Sequence, residues 1–287
     1  MIITFVTSGL RTTTQDQGRR GYTHLGIPVG GVLDSPAMRY ANQLVGNPIH
    51  TPVLEITLTG PQLLCEQAGS IALTGADFGV RINGEEQSNN CRLEVDAGDT
   101  ISFTQPQKGC RGYLAFEGDW QVKRWLGSAS ALRVGSHELL LNAVWKAGDS
   151  LVTRPRRTQP WPTTGLEPGP LSNQIGVYKG PEFDWLTDEA KEALLSNQMT
   201  ICEPSNRVGL RTDTTFGIQE QYRNTEMLSS GVLPGTVQLT SSGEAIILLA
   251  DGQTIGGYPR ILQCRQSSLR SLGQLRPGDT FSLKLFS

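Results

Sequence analysis

Four polar, glycine-containing motifs stand close together: Q-D-Q-G-R-R-G-Y at 15–22, G-G-V-L-D at 30–34, A-M-R-Y-A-N-Q-L-V-G-N at 37–47 and L-E-I-T-L-T-G-P at 54–61. The third motif has the apolar spacing of a short helix, and the fourth reads as a strand. Glycines that permit unusual backbone angles accompany charged and amide side chains, and a segment that only had to pack would not need so many of both. We therefore expect this stretch to hold a polar ligand.

The helix in the third motif is predicted to begin at Ser35 as N-cap. Pro36 suits the first helical position because its missing N–H would be unpaired there anyway, and Asp34 adds negative charge near the positive end of the helix dipole. Gly46 suits the left-handed residue that ends a helix.

The same helix is predicted to have an apolar stripe and a polar face. Arg39 and Asn42, three residues apart, are expected to share the polar face, where an arginine beside an amide suits a carboxylate-bearing ligand. The alternative is that both side chains brace the adjoining loop. The apolar stripe consists of Ala37, Ala41, Leu44 and Val45.

The composition predicts a mostly β chain. There are 33 glycines and 16 prolines in 287 residues, with 18% charged residues, which favours short strands and turns over long helices. Short alternating runs such as I-I-T-F-V and C-R-G-Y-L-A-F have the spacing of a β-barrel or sandwich. One further helix is predicted at residues 187–195, with Thr187 as its N-cap.

Two lobes are predicted, residues 1–165 with long connections and residues 166–287, because prolines and glycines at 154–169 exclude both ladder and helix. A-G-D-T-I-S-F at 97–103 is echoed by P-G-D-T-F-S-L at 277–283. Short matches of this kind arise readily by chance, so repeated lobes and coincidence both stay open.

Charge and cysteine usage exclude several classes of protein. A formal net charge of −2 gives no electrostatic footprint for nucleic acid. Five cysteines without a C-x-x-C pair indicate free thiols in a reducing compartment, and no apolar run approaches the span of a bilayer. We expect a cytoplasmic protein with no nucleic-acid or membrane partner.

Familiar catalytic signatures are absent from the sequence, including the G-x-x-x-x-G-K-[ST] phosphate loop, the G-x-S-x-G elbow and H-E-x-x-H. His24, His50 and His137 are not at ligand spacing, so no metal site is expected. No Met-Lys-Met motif is present, so the chain is not a biotin carrier and biotin is not an expected cofactor. Catalysis would rest on carboxylates, arginines, amides and backbone N–H groups.

Several blocks, in order, carry a family resemblance from about residue 10 to residue 277: T-T-T-Q-D-Q-G-R-R-G-Y, G-I-P-V-G-G-V-L-D, R-Y-A-N-Q-L-V-G-N, S-N-R-V-G-L-R and D-G-Q-T-I-G-G-Y-P-R-I. They resemble the KipA / allophanate hydrolase subunit 2 family, also known as the C-subunit of bacterial 5-oxoprolinase and related to the carboxyltransferase domain of urea carboxylase. The resemblance implies two tandem cyclophilin-like β-barrel lobes with a few short helices.

The resemblance also implies a function in a heteromeric, ATP-dependent 5-oxoprolinase that converts 5-oxo-L-proline to L-glutamate. The implied partners are a KipI-type B-subunit and a third component, the A-subunit, with ATP bound at this chain or at a partner. One alternative is a non-catalytic regulator that binds the KipI-type protein and relieves its inhibition of a kinase. The other is half of a biotin-dependent urea-type carboxyltransferase, which would need a separate biotin carrier.

Two central segments depart from the family pattern. The usual G-S-x-S-T reads G-S-A-S-A at 127–131, and a glycine-rich segment has become S-H-E-L-L-L-N-A-V at 136–144. These changes leave open a paralogue with an altered substrate or weakened chemistry.

Three carboxylates, Asp34, Glu55 and Asp77, are the candidates for proton transfer. Glu55 lies in an apparent strand, either on the exposed face or half-buried with a raised pKa, and the second is favoured because it suits acid/base work. The expected substrate-binding residues are Asp16, Arg19, Arg39, Asn42, Asn47, Arg207, Gln253, Thr254, Gly256, Gly257 and Tyr258.

Each binding prediction has a simpler structural alternative. Asp16 and Arg19 could form an ion pair that braces a turn. Arg207 could bind the carboxylate of a ligand or pair with a protein acid. Residues 253–258 could let backbone N–H groups surround an anion, or could form a tight barrel turn.

Overall fold

The computed structural model describes residues 1–134, 137–138, 143–156, 167–222, 225 and 227–286. Two compact units are present: Met1–Arg19 with Gly30–Gly169, and Arg20–Val29 with Pro170–Ser287. The predicted boundary between residues 165 and 166 falls outside the described residues. The predicted mostly β fold with a few short helices is confirmed.

The first unit contains one α-helix and fourteen strands among its described residues. The helix is α1 (Ser35–Leu44), and the strands are β1 (Ile2–Thr7), β2 (Arg11–Gln15), β3 (Val53–Thr57), β4 (Gln62–Cys65), β5 (Gly69–Gly75), β6 (Val80–Ile82), β7 (Glu85–Gln87), β8 (Leu93–Val95), β9 (Thr100–Phe103), β10 (Arg111–Phe116), β11 (Asp119–Trp120), β12 (Arg133–Val134), β13 (His137–Glu138) and β14 (Ser150–Arg154).

Two antiparallel sheets make up most of this unit, in the orders β11-β14-β1-β4-β9-β6-β7 and β2-β3-β10-β5-β8. The main core includes Phe5, Ile56, Leu63 and Leu114, which come from both sheets. The opposite face of the five-stranded sheet is covered by α1, since Met38 packs in a second cluster with residues of β3, β5 and β10. Strand β10 is therefore buried on both faces.

The N-cap of α1 is Asp34, so the prediction of Ser35 is wrong. Asp34 has non-helical backbone angles, and its Oδ1 accepts a hydrogen bond from the N–H of Ala37 at 3.2 Å. Ser35 is already the first helical residue. Gly46 has the predicted left-handed conformation, with φ of 72°.

The second unit contains two α-helices and nine strands among its described residues. They are β15 (Gln174–Lys179), α2 (Asp188–Ser196), β16 (Met199–Thr200), β17 (Gly209–Thr215), β18 (Ser230–Gly231), β19 (Thr236–Leu239), β20 (Glu244–Leu248), β21 (Ile255–Gly256), β22 (Arg260–Cys264), α3 (Leu269–Gln274) and β23 (Thr280–Leu285).

A seven-stranded sheet of order β16-β23-β15-β22-β19-β20-β17 forms this second unit, and β18 pairs with β21 as a separate ribbon. Strands β15 and β23 are parallel, and the other pairings are antiparallel. Helix α2 begins as predicted, because the side chain of Thr187 accepts a hydrogen bond from the N–H of Ala190.

The sequence echo between 97–103 and 277–283 has a local cause. Asp99 and Asp279 each accept a hydrogen bond from the backbone N–H three residues earlier, at 2.7 and 3.0 Å. Asp149 makes the same contact at 2.7 Å. The repeated letters therefore mark a common side-chain-capped turn before a strand.

Candidate functional site

A row of polar side chains crosses the five-stranded sheet on the face that α1 covers. The register places Thr13 opposite Glu55, Glu55 opposite Tyr113, and Tyr113 opposite Thr74. All four residues are buried, and the Oγ1 of Thr74 donates to the carbonyl of Ala37 in α1. Two of the predicted acids, Asp34 and Glu55, meet this row.

Tyr113 joins the two acids. Its hydroxyl accepts a hydrogen bond from the backbone N–H of Asp34 at 2.9 Å. Burial raises the pKa of Tyr113 well above its ordinary value, and the charges of Glu55 and Asp34 raise it further. The phenol therefore stays protonated, and the side chain of Asp34 is occupied in capping α1.

Glu55 is 1% exposed, so it lies on the buried face and is more enclosed than the predicted half-buried position, while its predicted raised pKa stays a prediction. Its Oε1 lies 3.6 Å from the Nε of Arg111, which is also buried. The backbone N–H of Leu33 donates to Oε2 at 3.4 Å. A buried acid and guanidinium that face each other stabilise one another, and loss of either leaves a costly buried charge.

Asp16 is held by five donors of its own unit. Its Oδ1 accepts from the hydroxyls of Ser128 and Ser130 at 2.6 and 2.7 Å and from the N–H of Gly18. Its Oδ2 accepts from the N–H of Ala129 at 2.7 Å and from Arg124 at 3.3 Å. The ion pair that the structure shows for Asp16 is with the distant Arg124 and not the local pair considered as the alternative, and the binding of a ligand by Asp16 stays a prediction.

The two serines of G-S-A-S-A therefore retain a role although the family threonine is missing. Each one both donates to Asp16 and accepts a backbone hydrogen bond, from Ser130 N–H and Asp16 N–H respectively. The substituted residue, Ala131, is buried, and its N–H donates to Thr14. Part of the second departing segment, residues 136–144, lies outside the described residues.

Arg19 is also enclosed, with 1% exposure. Its Nη2 donates to the carbonyl of Ser130 at 2.5 Å, and its guanidinium lies 5.3 Å from the centre of the Trp125 ring. These contacts fix the same 128–130 segment that Asp16 binds.

The prediction that Arg39 and Asn42 are presented together is wrong. Arg39 is exposed, whereas Asn42 is fully buried, because it belongs to the face of α1 that packs on the sheet. The Nδ2 of Asn42 donates to Thr51 at 2.8 Å, and its Oδ1 accepts from Asn47. Asn47 also donates to the carbonyl of Phe116, so both amides brace the loop after α1.

Asp77 differs from the other two predicted acids. It is exposed on the loop after β5, and its backbone pairs with residues 107 and 108. The structure thus brings Asp34 and Glu55 to Tyr113 and leaves Asp77 on the surface.

In the second unit, Arg207 is paired with an acid of the protein. Its Nε and Nη2 each donate to the carboxylate of Asp251 at 2.8 Å, and both side chains are buried. This bidentate geometry is among the strongest charged hydrogen bonds. Arg207 thereby anchors the start of residues 251–260, which we call the glycine segment.

The other end of the glycine segment is also clamped. Arg260 donates through Nε and Nη2 to Glu182 at 3.0 and 2.8 Å, and its Nη1 donates to the carbonyl of Gly231. Burial acts to raise the pKa of Glu182, but the hydrogen bonds and charge of Arg260 hold that pKa below its ordinary value.

Between the clamps, the predicted ligand-binding residues are accessible. Gln253, Gly257 and Tyr258 are exposed, and Thr254 and Gly256 are half-buried. A residue that sequence reasoning missed, the buried Gln238 of β19, accepts a hydrogen bond from Gln253. Only its place as a lone amide in the apolar V-Q-L run could have indicated it.

The described residues contain neither a metal-binding cluster nor a membrane-spanning helix. Across the described residues, no group of three or more His, Cys, Asp or Glu side chains is arranged to hold a metal ion. In the same part of the chain, no helix is long and apolar enough to cross a membrane.

Comparisons with known proteins agree with the predicted family. A family model described as carboxyltransferase domain, subdomain A and B, matches residues 25–285. The chain is 35% identical over 279 residues to the 5-oxoprolinase C-subunit of Escherichia coli K12. This match covers 97% of this chain and 89% of that protein. It is 29% identical to urea amidolyase of Saccharomyces cerevisiae, over 95% of this chain but only 16% of that protein.

A solved structure gives the same result. The crystal structure of the K. lactis urea amidolyase matches 100% of this chain and 19% of its own, with a TM-score of 0.89 and 28% identity. The predicted family is confirmed, and the chain belongs to the carboxyltransferase domain family that includes the 5-oxoprolinase C-subunit.

Proposed function

We propose that this chain is a component of an ATP-dependent 5-oxoprolinase, which hydrolyses 5-oxo-L-proline to L-glutamate in the cytoplasm with a KipI-type B-subunit and a third component, the A-subunit. The observation that carries the proposal is the 35% identity to the E. coli 5-oxoprolinase C-subunit, which extends over 97% of this chain and 89% of that protein. A match of nearly whole chain to nearly whole protein supports an equivalent place in an assembly.

The chemistry explains the demands on the protein. A lactam carbon is a poor electrophile, and transfer of a phosphoryl group from ATP to the lactam oxygen makes that carbon open to attack by water. The C–N bond of the ring then breaks, the nitrogen becomes the amine of glutamate, and a second water releases phosphate from the acyl phosphate that remains. The substrate carboxylate needs a cation, and the oxygen that gains charge needs N–H donors.

Accessible groups of this chain fit these demands better than buried ones. Arg39 is exposed and offers a guanidinium for a carboxylate, and Asp77 is an exposed acid. The glycine segment offers backbone N–H groups close to the surface. Asp34 and Glu55 have protein partners, so in this proposal they position α1 and β3.

ATP is proposed to bind at a partner protein, because this sequence has no G-x-x-x-x-G-K-[ST] phosphate loop. This chain alone should then show no 5-oxoproline-dependent ATP hydrolysis. Its contribution would be to bind and orient the lactam.

The test is reconstitution. The chain is co-purified with the products of its neighbouring genes, and ADP and glutamate are measured with and without 5-oxo-L-proline. The proposal expects both products in equal amounts from the complete assembly, and neither from the chain alone or from an assembly that lacks it. Turnover by the partners without this chain, or an assembly inactive on 5-oxoproline, would contradict the proposal.

A second candidate is half of a biotin-dependent carboxyltransferase acting on a urea-like amide. The TM-score of 0.89 to the K. lactis urea amidolyase favours it, although this chain spans 19% of that protein. The same assembly is therefore assayed with urea, bicarbonate, ATP and a biotin-carrier protein. Carboxylation in that mixture, with no glutamate from 5-oxoproline, would select the second candidate.

A further inference from the structure

Gln238 is a buried amide in an otherwise apolar part of β19. It is 1% exposed and lies between Val237 and Leu239, which are also buried. The pairing of β19 with β22 is irregular at this point, since Val237 is opposite Leu262 but Gln238 is opposite Arg260. The residue left without a partner is Ile261 of β22. Buried amides such as Gln238 are generally satisfied by specific hydrogen bonds.

The two ends of the Gln238 amide contact two points of the glycine segment. Its Oε1 accepts a hydrogen bond from the Nε2 of Gln253 at 2.9 Å. Its Nε2 donates to the backbone carbonyl of Tyr258 at 3.4 Å, which is the weaker contact. One side chain therefore spans the exposed part of the segment from beneath.

Gly256 lies directly over this amide. A Cβ added at Gly256 would lie 2.5 Å from the Nε2 of Gln238, closer than atoms can approach. The φ of Gly256 is not in the left-handed region, so a Cβ here would act by displacing the end of the Gln238 side chain rather than by straining the backbone. By contrast, a Cβ at Gly231 on the paired strand would meet nothing within 4 Å.

These contacts complete the two clamps at the ends of the segment. Arg207 holds Asp251 and Glu182 holds Arg260, so the ends are fixed by charge while the middle is held by Gln238. A ligand that binds backbone N–H groups requires them in a fixed orientation before it arrives.

We propose that Gln238 is a positioning residue, which holds residues 253–258 in the conformation that meets the ligand. The part of this inference that concerns the ligand rests on the proposed function of the glycine segment. Gln238 touches no substrate in this proposal, and it acts through the two hydrogen bonds and through its fit beneath Gly256.

The first experiment uses the full chain and needs no reaction. Backbone hydrogen exchange of residues 253–258 is followed by mass spectrometry in the native protein, Gln238→Met, Gly256→Ala and Gly231→Ala. Methionine keeps the shape of glutamine but loses both hydrogen bonds. We expect exchange about tenfold faster in Gln238→Met and Gly256→Ala, native exchange in Gly231→Ala, and little change in Tm for the three variants.

The second experiment tests the fit between Gln238 and Gly256. Because Gly256→Ala acts by displacing Gln238, it should add almost nothing once Gln238 has been cut back to alanine. The double variant Gln238→Ala/Gly256→Ala is expected to exchange no faster than Gln238→Ala alone. Native exchange in Gln238→Met, or independent and multiplying effects in the double variant, would overturn the positioning role.

The third experiment tests whether Gln238 affects the binding of the ligand. In the reconstituted assembly, Gln238→Met should raise the KM for 5-oxo-L-proline about tenfold while kcat falls less than threefold, and Gly231→Ala should leave both unchanged. If the native assembly does not hydrolyse 5-oxoproline, the proposed function fails while the exchange experiments still decide the role of Gln238. If the native assembly is active and Gln238→Met keeps its KM, the proposed function stands and the positioning role falls.

Discussion

The polar row of the first unit and the glycine segment of the second unit hold charged groups in opposite ways. Glu55 and Asp34 are enclosed under α1, with the hydrogen bonds of each made to the protein. The glycine segment has its charges at its two clamped ends and leaves Gln253 and Tyr258 exposed between them. Similar residue types thus build a buried interior in one unit and an accessible segment with clamped ends in the other.

This difference distinguishes two roles that a polar residue of a family motif can have, stabilising the fold and binding a ligand. A residue with all its partners inside the protein should change stability first when it is replaced. A residue exposed on a rigid support should change ligand binding with little effect on stability. Measuring the two quantities together therefore tests the contrast residue by residue.

The largest effect is expected for Glu55→Ala, which leaves Arg111 buried without its acid. The free energy of unfolding should fall by about 3–5 kcal/mol, as for other buried pairs broken on one side. Urea unfolding measures it, with Asp119→Ala as the control because its pair with Arg156 is half-exposed. A loss below about 1 kcal/mol, the value typical of surface pairs, would show that the polar row is not a structural element.

The next effect is expected for Asp251→Ala. Loss of the bidentate contact should cost about 3 kcal/mol because the buried Arg207 loses its acid. The control in the same unit is Glu244→Ala, whose pair with Arg211 is half-exposed at 3.6 Å. If the clamp also positions the glycine segment, the KM of the assembly for 5-oxo-L-proline rises as well. Equal stability of Asp251→Ala and Glu244→Ala would show that the pair of Arg207 with Asp251 does not stabilise the second unit more than a surface pair does.

Arg39→Ala should behave in the opposite way. Because the side chain is exposed on α1, its loss should leave Tm nearly unchanged. If it binds the carboxylate of the ligand, binding should weaken by about 1.5–3 kcal/mol, which is roughly a ten- to hundredfold loss of kcat/KM in the assembly. Arg39→Lys keeps the positive charge but loses the planar guanidinium, so it shows whether binding depends on the charge alone or on the bidentate geometry. An Arg39→Ala assembly with full activity would exclude the carboxylate-binding role.

Much of this arrangement could be predicted from the sequence where the information is local. The helix at 35–44, the left-handed Gly46 and the cap of α2 by Thr187 follow from neighbouring residues. The N-cap of α1 shows the limit of such local prediction. Ser35 and Asp34 both suit the N-cap position, and only the backbone angles identify Asp34 as the residue that occupies it.

Distant partners could not be predicted. Asp16 is bound by Ser128 and Ser130, more than 100 residues further along the chain. Asn42 was expected to face a ligand because its spacing from Arg39 predicted a shared polar face, and its contact with the carbonyl of Thr51 leaves no trace in the sequence. Gln238 was not among the predicted site residues, and its contact with Gln253 accompanies a register shift in the pairing of β19 with β22 that the sequence does not announce.

The smallest effect is expected at the far clamp, and it depends on pH. The pKa of Glu182 is held below its ordinary value by Arg260, so the ionised form is favoured in the folded protein. A depressed pKa contributes stability above the pKa of the unfolded state, and that stability is lost as the pH falls through the folded pKa.

Glu182→Gln should therefore be less stable than the native protein by about 1 kcal/mol at neutral pH, and the difference should shrink as the pH falls below the ordinary range of a glutamate. Urea unfolding of both proteins between pH 7 and about pH 3 measures it. Arg260 would keep its charge throughout that range, so only the acid titrates. A difference that is constant across the range would mean that Glu182 supports the glycine segment by shape alone, and that the charge of the far clamp does not stabilise the folded protein.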